Sequence, residues 1–387
     1  MRGLVIAADA VFDGERWIGA STVRCVHGRI AEVEAGLDPT ADVRADRLLP
    51  GLVDVGVSAS GYAELPDDAA PYAPEEAFAR LCLRHGVTTV VDVENSPGPL
   101  SWLAELERRG RGPLVLHSAG RLASEPRGRH DVVVGTDDAA SAVAAVLHAG
   151  GSLVSLGLLD VQGQRAVQDA ARAAGLPVLT SRPTTPRTPG STLEAPDGST
   201  FVVPQLLATR RWTVDGLLGA DDAHLAAPVL PHCRHFARSR GRWGRAVARP
   251  LVGRYYGDRD PALLPDRPER GVGDALRAGR CLASSAAGAT GLVPGLSLWD
   301  EIALLAALGG ADAALRSATS APATALGRAD LGRVRVGARA DLLLLGPGAA
   351  VPTADDLRAV VLAGHLVETS ELSTEVDDLV TVSLRGA

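Results

Sequence analysis

Apolar and polar positions alternate over short distances at both ends of the chain, and the period changes in between. The first fifty residues run as brief apolar stretches separated by turn residues: "GLVIAADAVFDG", "WIGASTVRCVHGRIAEVEAG" and "RADRLLPG". That texture predicts strands. It returns from about residue 329 in "LGRVRVGARADLLLLG" and "LRAVVLAGHLVE". The middle pairs helix-like segments with apolar runs. "PEEAFARLCLRH" precedes "GVTTVVDVENS", "DDAASAVAAVLHAG" precedes "GSLVSLGLLD", and "QRAVQDAARAA" precedes "GLPVLTSRPT". Strands alternating with helices imply parallel pairing through right-handed crossovers. The pattern therefore predicts an α/β barrel over residues 51–328, flanked by residues 1–50 and 329–387 as two halves of one small β domain.

Composition sharpens this picture in three places. With 387 residues, 46% of them hydrophobic but only 3% aromatic, a large core of Ala, Leu and Val is available. No apolar run approaches the roughly 18 residues of a membrane span, and no basic segment leads into an apolar one at the start, so a cytoplasmic protein off the membrane is expected. The net charge of −7 gives no case for nucleic acid. Cys25, Cys82, Cys233 and Cys281 form no CxxC pair and read as reduced, mostly buried thiols. Every basic side chain is arginine. Without lysine the chain can form neither a Schiff base nor a carboxylated lysine.

The segment "LLPGLVDVGVSAS", followed by "GVTTVVDV", "AGGSLVSL", "GLPVLTS", "LASSAAG" and the long "LRSATSAPATALGRADLGRVRVGARADLLLLG", resembles the amidohydrolase superfamily over nearly the whole chain. The imidazolonepropionase and Xaa-Pro dipeptidase-like branch is the most similar. That resemblance implies a distorted (β/α)8 TIM barrel with a small β-sandwich domain formed by both termini. It also implies a mouth that holds one or two divalent metals through histidines, a carboxylated lysine or glutamate, and an aspartate. Carried across position by position, the two first-strand histidines fall on Gly56 and Ser58, the fourth-strand lysine on Ser155, the fifth-strand histidine near Ser181 and the eighth-strand aspartate on Ala286. No sixth-strand histidine is found. A glycine, an alanine and hydroxyls do not make a divalent metal site, so the expectation is no metal and no cofactor.

Other groups then have to carry any chemistry. Asp92 and Glu94 share parity on the second strand and are expected to face the lumen, where paired carboxylates can divide into acid and base. Asp92 also reads as structural, which leaves Glu94 the better candidate. His117 ends the third strand, where a structural imidazole competes with a catalytic one. His232 and His235 stand three apart on one helical face, suited to proton transfer more than to metal without a third ligand. Ser58, Ser155, Ser181, Arg121, Arg182 and Tyr255 are the candidates for holding substrate. Asp160, like the two arginines, reads equally as a surface residue.

The stretch from about 205 to 270 reads as a lid over the mouth. Its seven arginines between 234 and 254 form a basic patch suited to a solvated face, or to an anionic partner such as a carrier protein. Two readings of different class follow. One is a metal-independent enzyme performing acid–base cyclisation, isomerisation or a lyase-type step on a small molecule, in specialised metabolism by analogy. The other is a non-catalytic relative that binds a ligand or protein. A retained metal-dependent hydrolase is the least favoured, and a homo-oligomer is expected from the branch alone.

Overall fold

The structure, a computed structural model, describes residues 3–59, 74–93, 97–125, 131–180, 191–211, 271–288 and 292–373. Its first strand, β1 (Leu4–Phe12), pairs antiparallel with β2 (Trp17–Ile18) and β3 (Ser21–Val26); β3 continues antiparallel to β4 (Arg29–Ala35). β5 (Val43–Pro50) lies parallel to β1. Its first half alternates between half-buried and exposed, and from Arg47 to Pro50 it is wholly buried, because there the chain leaves the surface sheet for the interior. The far end of the chain completes this sheet. β15 (Leu342–Leu345) pairs antiparallel with β5, then β16 (Leu357–Leu362) and β17 (His365–Glu368) follow. Both ends thus build one eight-stranded sheet, in the order β17-β16-β15-β5-β1-β3-β4 with β2 beside β1. Arg47, buried where the halves meet, donates through Nε to Gly346 O at 2.9 Å and pairs with Asp356 at 3.2 Å.

The interior holds two further sheets. β6 (Leu52–Val57), β7 (Val87–Asp92) and β8 (Leu114–His117) are parallel, with α1 (Pro74–Arg84) and α2 (Pro97–Arg108) in the crossovers. The second comprises β9 (Arg121–Ala123), β10 (Asp131–Val133), β11 (Val154–Leu156), β12 (Val178–Thr180), β13 (Ser191–Glu194) and β14 (Thr200–Val203). Here α3 (Ala139–His148) and α4 (Val161–Ala173) supply the crossovers. α4 starts where the Asp160 carboxylate accepts from Gly163 N at 2.6 Å, and it buries Gly163, Val167 and Ala171 at helical spacing. After α5 (Leu206–Arg211) come α6 (Val272–Arg277), α7 (Leu296–Gly309), α8 (Ala311–Ser317) and α9 (Ser320–Ala325).

Strand pairing closes no barrel among the described residues, and two features depart from uniform β/α alternation. β13 runs antiparallel between β12 and β14. An Asp-Gly turn makes this hairpin, with Asp197 Oδ1 accepting from Ser199 N at 2.9 Å. The third strand is also broken between His117 and Arg121, where Ala119 takes φ 54°. Backbone bonds nevertheless tie the two sheets. Ser152 N donates to His117 O at 2.8 Å on one side; on the other, Leu282 N donates to Val202 O at 2.8 Å and Ser58 N to Ala287 O at 2.8 Å. One apolar cluster draws Val55, Val91 and Leu116 from the first sheet and Leu179, Leu193 and Val203 from the second. Val154, Leu156, Leu122 and Val178 pack instead with α3 and α4, so successive residues of these strands point alternately inward and to the helices. No helix among the described residues is long and apolar enough to cross a membrane.

Candidate functional site

The inward faces of the two sheets carry polar groups above the apolar floor. Ser155 stands between Val154 and Leu156, both of which pack on the helices, so its side chain points inward; its Oγ is buried without a hydrogen-bond partner among the described residues. Arg121 is its register partner on β9 and shares that face, since the next residue, Leu122, packs on the helices. Ser118, at the break in the third strand, has a buried Oγ likewise without a partner.

Across the interior, Gly56 interrupts β6 with φ +87° and a shift in pairing between Val55 and Val57. The bulge turns the Gly56 position toward two polar side chains: a Cβ built there would stand 3.3 Å from Gln205 Nε2 and 3.4 Å from Ser284 Oγ. Gln205 Nε2 donates to Ser284 Oγ at 3.2 Å, and Ala286 N donates to the same oxygen at 3.2 Å. With both acceptor sites used, the Ser284 hydroxyl retains its own O–H to offer. Gln205 itself sits at φ +50°, held because Leu206 N and Leu207 N donate to the two oxygens of buried Glu301 at 2.9 and 2.7 Å. Glu301 thereby fixes the start of α5, and with it the amide that faces Gly56.

The carboxylates near this interior serve the frame. Asp54 accepts from Ser285 N at 2.8 Å and Ser285 Oγ at 2.5 Å. Burial pushes its carboxyl up to about 6, and the Ser285 bonds pull only partly against that. Asp92 does not face the lumen as its parity with Glu94 suggested. Val91 packs in the interior cluster and Val90 on the helices, so Asp92 takes the helix side, where Oδ2 accepts from Ala59 N at 2.8 Å. Its register partner His117 is also turned away from the mouth. The chain continues past it into β9, and a Cβ at Gly150, after α3, would lie 4.0 Å from His117 Nε2. Burial lowers the His117 pKa, and its Nδ1 has no partner among the described residues. Asp160 is the α4 cap, not a ligand group. Cys25, Cys82 and Cys281 are free and buried.

Of the other candidates, Ser58 is half-buried at the end of β6, its N–H bonded to Ala287 O. Glu94, Ser181, Arg182, His232, His235, Tyr255 and nearly all of the Arg-rich stretch lie outside the described residues. Sequence reading missed Ser118, Gln205, Ser284, Asp54 and Glu301. For Asp54 a signal existed, since it shares a strand with Gly56 and lies four residues before Ser58.

Solved structures match the chain over almost its full length. A protein classed as a prolidase, from Bifidobacterium longum, superposes with a TM-score of 0.67 at 21% identity, covering 98% of this chain and 99% of its own. Bottromycin amidohydrolase gives a TM-score of 0.67 at 20% identity, covering 99% and 91%. A Xaa-Pro dipeptidase with methionine bound in its active site gives 0.65 at 16%, covering 94% and 99%. These neighbours are members of the amidohydrolase superfamily. The chain has an amidohydrolase fold. No family model matches its sequence, and no curated protein does.

The sequence resemblance implies metal donors at strand ends. Among the described residues the matching positions are Gly56, Ser58, Ser155 and Ala286. Gly56 and Ala286 carry no donor atom, and neutral hydroxyls are poor ligands for the metals such sites take. No group of three His, Cys, Asp or Glu side chains suited to a metal occurs among the described residues. The residues present at these positions do not fit a divalent ion.

Proposed function

We propose that this chain is a metal-independent protein on the amidohydrolase scaffold that binds a small carboxylate-bearing molecule in the mouth formed by Ser155, Arg121, Ser284 and Gln205. The two inner sheets and residues 280–287 together make that mouth, as a barrel whose seams are the backbone bonds from Ser152 to His117 and from Ser58 to Ala287. One observation carries the reading. The Ser155 and Ser284 hydroxyls offer donors to the interior, with Arg121 on the same face as Ser155, whereas Asp54, Asp92 and Glu301 are each engaged by backbone amides. A donor-rich interior recognises an acceptor-rich ligand, and a guanidinium matches a carboxylate in bidentate geometry. Methionine bound by the dipeptidase neighbour is a ligand of this class.

Binding without turnover is the reading preferred here, since neither Asp92 nor His117 reaches the mouth. The neighbours with named activities are hydrolytic enzymes, and this favours a second reading: metal-independent acid–base cyclisation, isomerisation or elimination on the same ligand. Its required groups, Glu94, His232 and His235, lie outside the described residues. Calorimetric titration of the metal-free chain with methionine, proline and their N-acyl derivatives tests the proposal. Saturable binding that Ser155→Ala and Arg121→Gln each weaken about tenfold, the loss of roughly one charge-assisted hydrogen bond, supports it. Binding absent from the whole panel, or unchanged in both variants, refutes it. Mass spectrometry of the recovered ligand separates the two readings, because an altered ligand means catalysis.

A further inference from the structure

A cavity of about 400 Å³ opens where β14, α9 and the turn between β1 and β2 meet, and its lining includes Glu15, Phe201, Arg277, Arg280, Arg316 and Thr324. It lies at the Thr200 end of β14, whereas Gln205 and the mouth lie beyond the other end, so the two are separate places in the molecule. We propose that this cavity is a binding site for a phosphate group carried by a small molecule, gripped by Arg316 and Arg280.

The charges around the cavity do not balance locally. Arg316 is half-buried, its Nε is shut off from solvent without an acceptor, and its guanidinium enters no ion pair among the described residues. Its place in the last turn of α8 accounts for a cation there, but not for a buried N–H left unsatisfied, which proteins avoid. Arg280 makes no side-chain hydrogen bond or ion pair among the described residues, though its charge helps to hold the Asp197 carboxyl low. Arg277 is held by exposed Asp274 at 2.5 Å and donates to Leu308 O at 3.4 Å. Glu15, the acid in the lining, is already held by Arg333 at 2.5 Å.

Arg316 and Arg280 thus line one space without an acid of their own, and the carboxylate in that lining is engaged elsewhere. A phosphate group suits the two arginines better than a carboxylate, because it brings close to two negative charges and three acceptor oxygens to planar forks of donors. The cavity falls in the size range of small-molecule sites, which leaves room for an organic body against buried Phe201 and Ala321.

The probe is inorganic phosphate, titrated into the full chain by calorimetry and by thermal melting, at constant ionic strength set with sodium chloride. Expected is saturable binding of one phosphate per chain with a rise in melting temperature. Arg316→Gln and Arg280→Gln should each weaken binding at least tenfold, while Arg165→Gln, on the exposed face of α4, leaves it unchanged. Should an arginine variant fail to fold, Ser199→Trp, which fills the cavity from its rim, is expected to abolish binding in a folded protein. A response equal to that of chloride, phosphate binding retained in the folded variants, or acetate competing with equal affinity would each overturn the assignment.

Discussion

Asp54 is wholly buried, and its carboxyl titrates near 6 in the folded chain because desolvation outweighs the two bonds from Ser285. In an unfolded chain the same group titrates near the ordinary aspartate value of 3.8. Between these values the folded protein binds a proton that the unfolded one has released, so the Asp54 contribution falls as the pH rises from about 4 to about 6. Over that window the loss amounts to about 3 kcal/mol. Urea unfolding at pH 4 and pH 7 checks this: Asp54→Asn should lose less stability between the two than the parent, and an equal loss would remove Asp54 as the source. Gly56 makes a second residue-scale case. At φ +87° any side chain is strained, and a Cβ there meets Gln205 and Ser284, so Gly56→Ala is expected to lower stability by about 1–2 kcal/mol. Gly56→His should fare worse and should not by itself create zinc affinity, which calorimetry with zinc reads directly. The sequence showed a glycine and a serine where histidines would be needed. It did not show that Gly56 forms a bulge, since the register is set by Val91 and Asp92 on β7 and the space beside it by Gln205 and Ser284.

At the scale of elements, the mouth depends on two contacts that hold segments in place. Glu301 on α7 accepts from both leading N–H groups of α5, across 95 residues of sequence. Glu301→Ala leaves two buried donors unsatisfied and is expected to cost about 2–4 kcal/mol; hydrogen exchange at Leu206 and Leu207 should rise with it, and exchange unchanged at those amides would show that α5 is held otherwise. Gly288, at φ +103°, lets residues 281–288 lie against the end of β6, because a Cβ there would stand 2.0 Å from Ser58 O. Much at this scale was readable. "LVDVGV" and "VTTVVD" are β6 and β7, because continuous apolar runs bounded by Gly and Pro suit strands buried on both faces. Asp92 was misplaced because parity gives only which residues share a face, while which face is inner depends on α1 and α2 packing over Val90. The β13–β14 hairpin carried its signal openly in "APDGST", but alternation was extended through it as though every strand were parallel.

For the molecule as a whole, β5 joins the two ends of the chain: it lies parallel to β1 and antiparallel to β15. Leu342 to Leu345 are all buried, so truncation before residue 340 removes four core leucines and uncovers the edge of β5 against which they pair. That variant is expected to be insoluble, and a soluble, cooperatively melting truncation would show that the inner sheets stand alone. This architecture was foreseeable because the same short-strand texture occurs at both ends. Function was less so, since the resemblance places Gly56, Ser58 and Ser155 where it implies metal donors, and those side chains name no chemistry of their own. The central claim, ligand binding without a metal, is tested most directly by elemental analysis of the chain purified from zinc- and manganese-supplemented cells, coupled to carboxylate titration before and after chelation. Expected are substoichiometric metal and an affinity that chelation leaves unchanged; a full equivalent of metal retained through dialysis, with binding lost on its removal, would contradict the account.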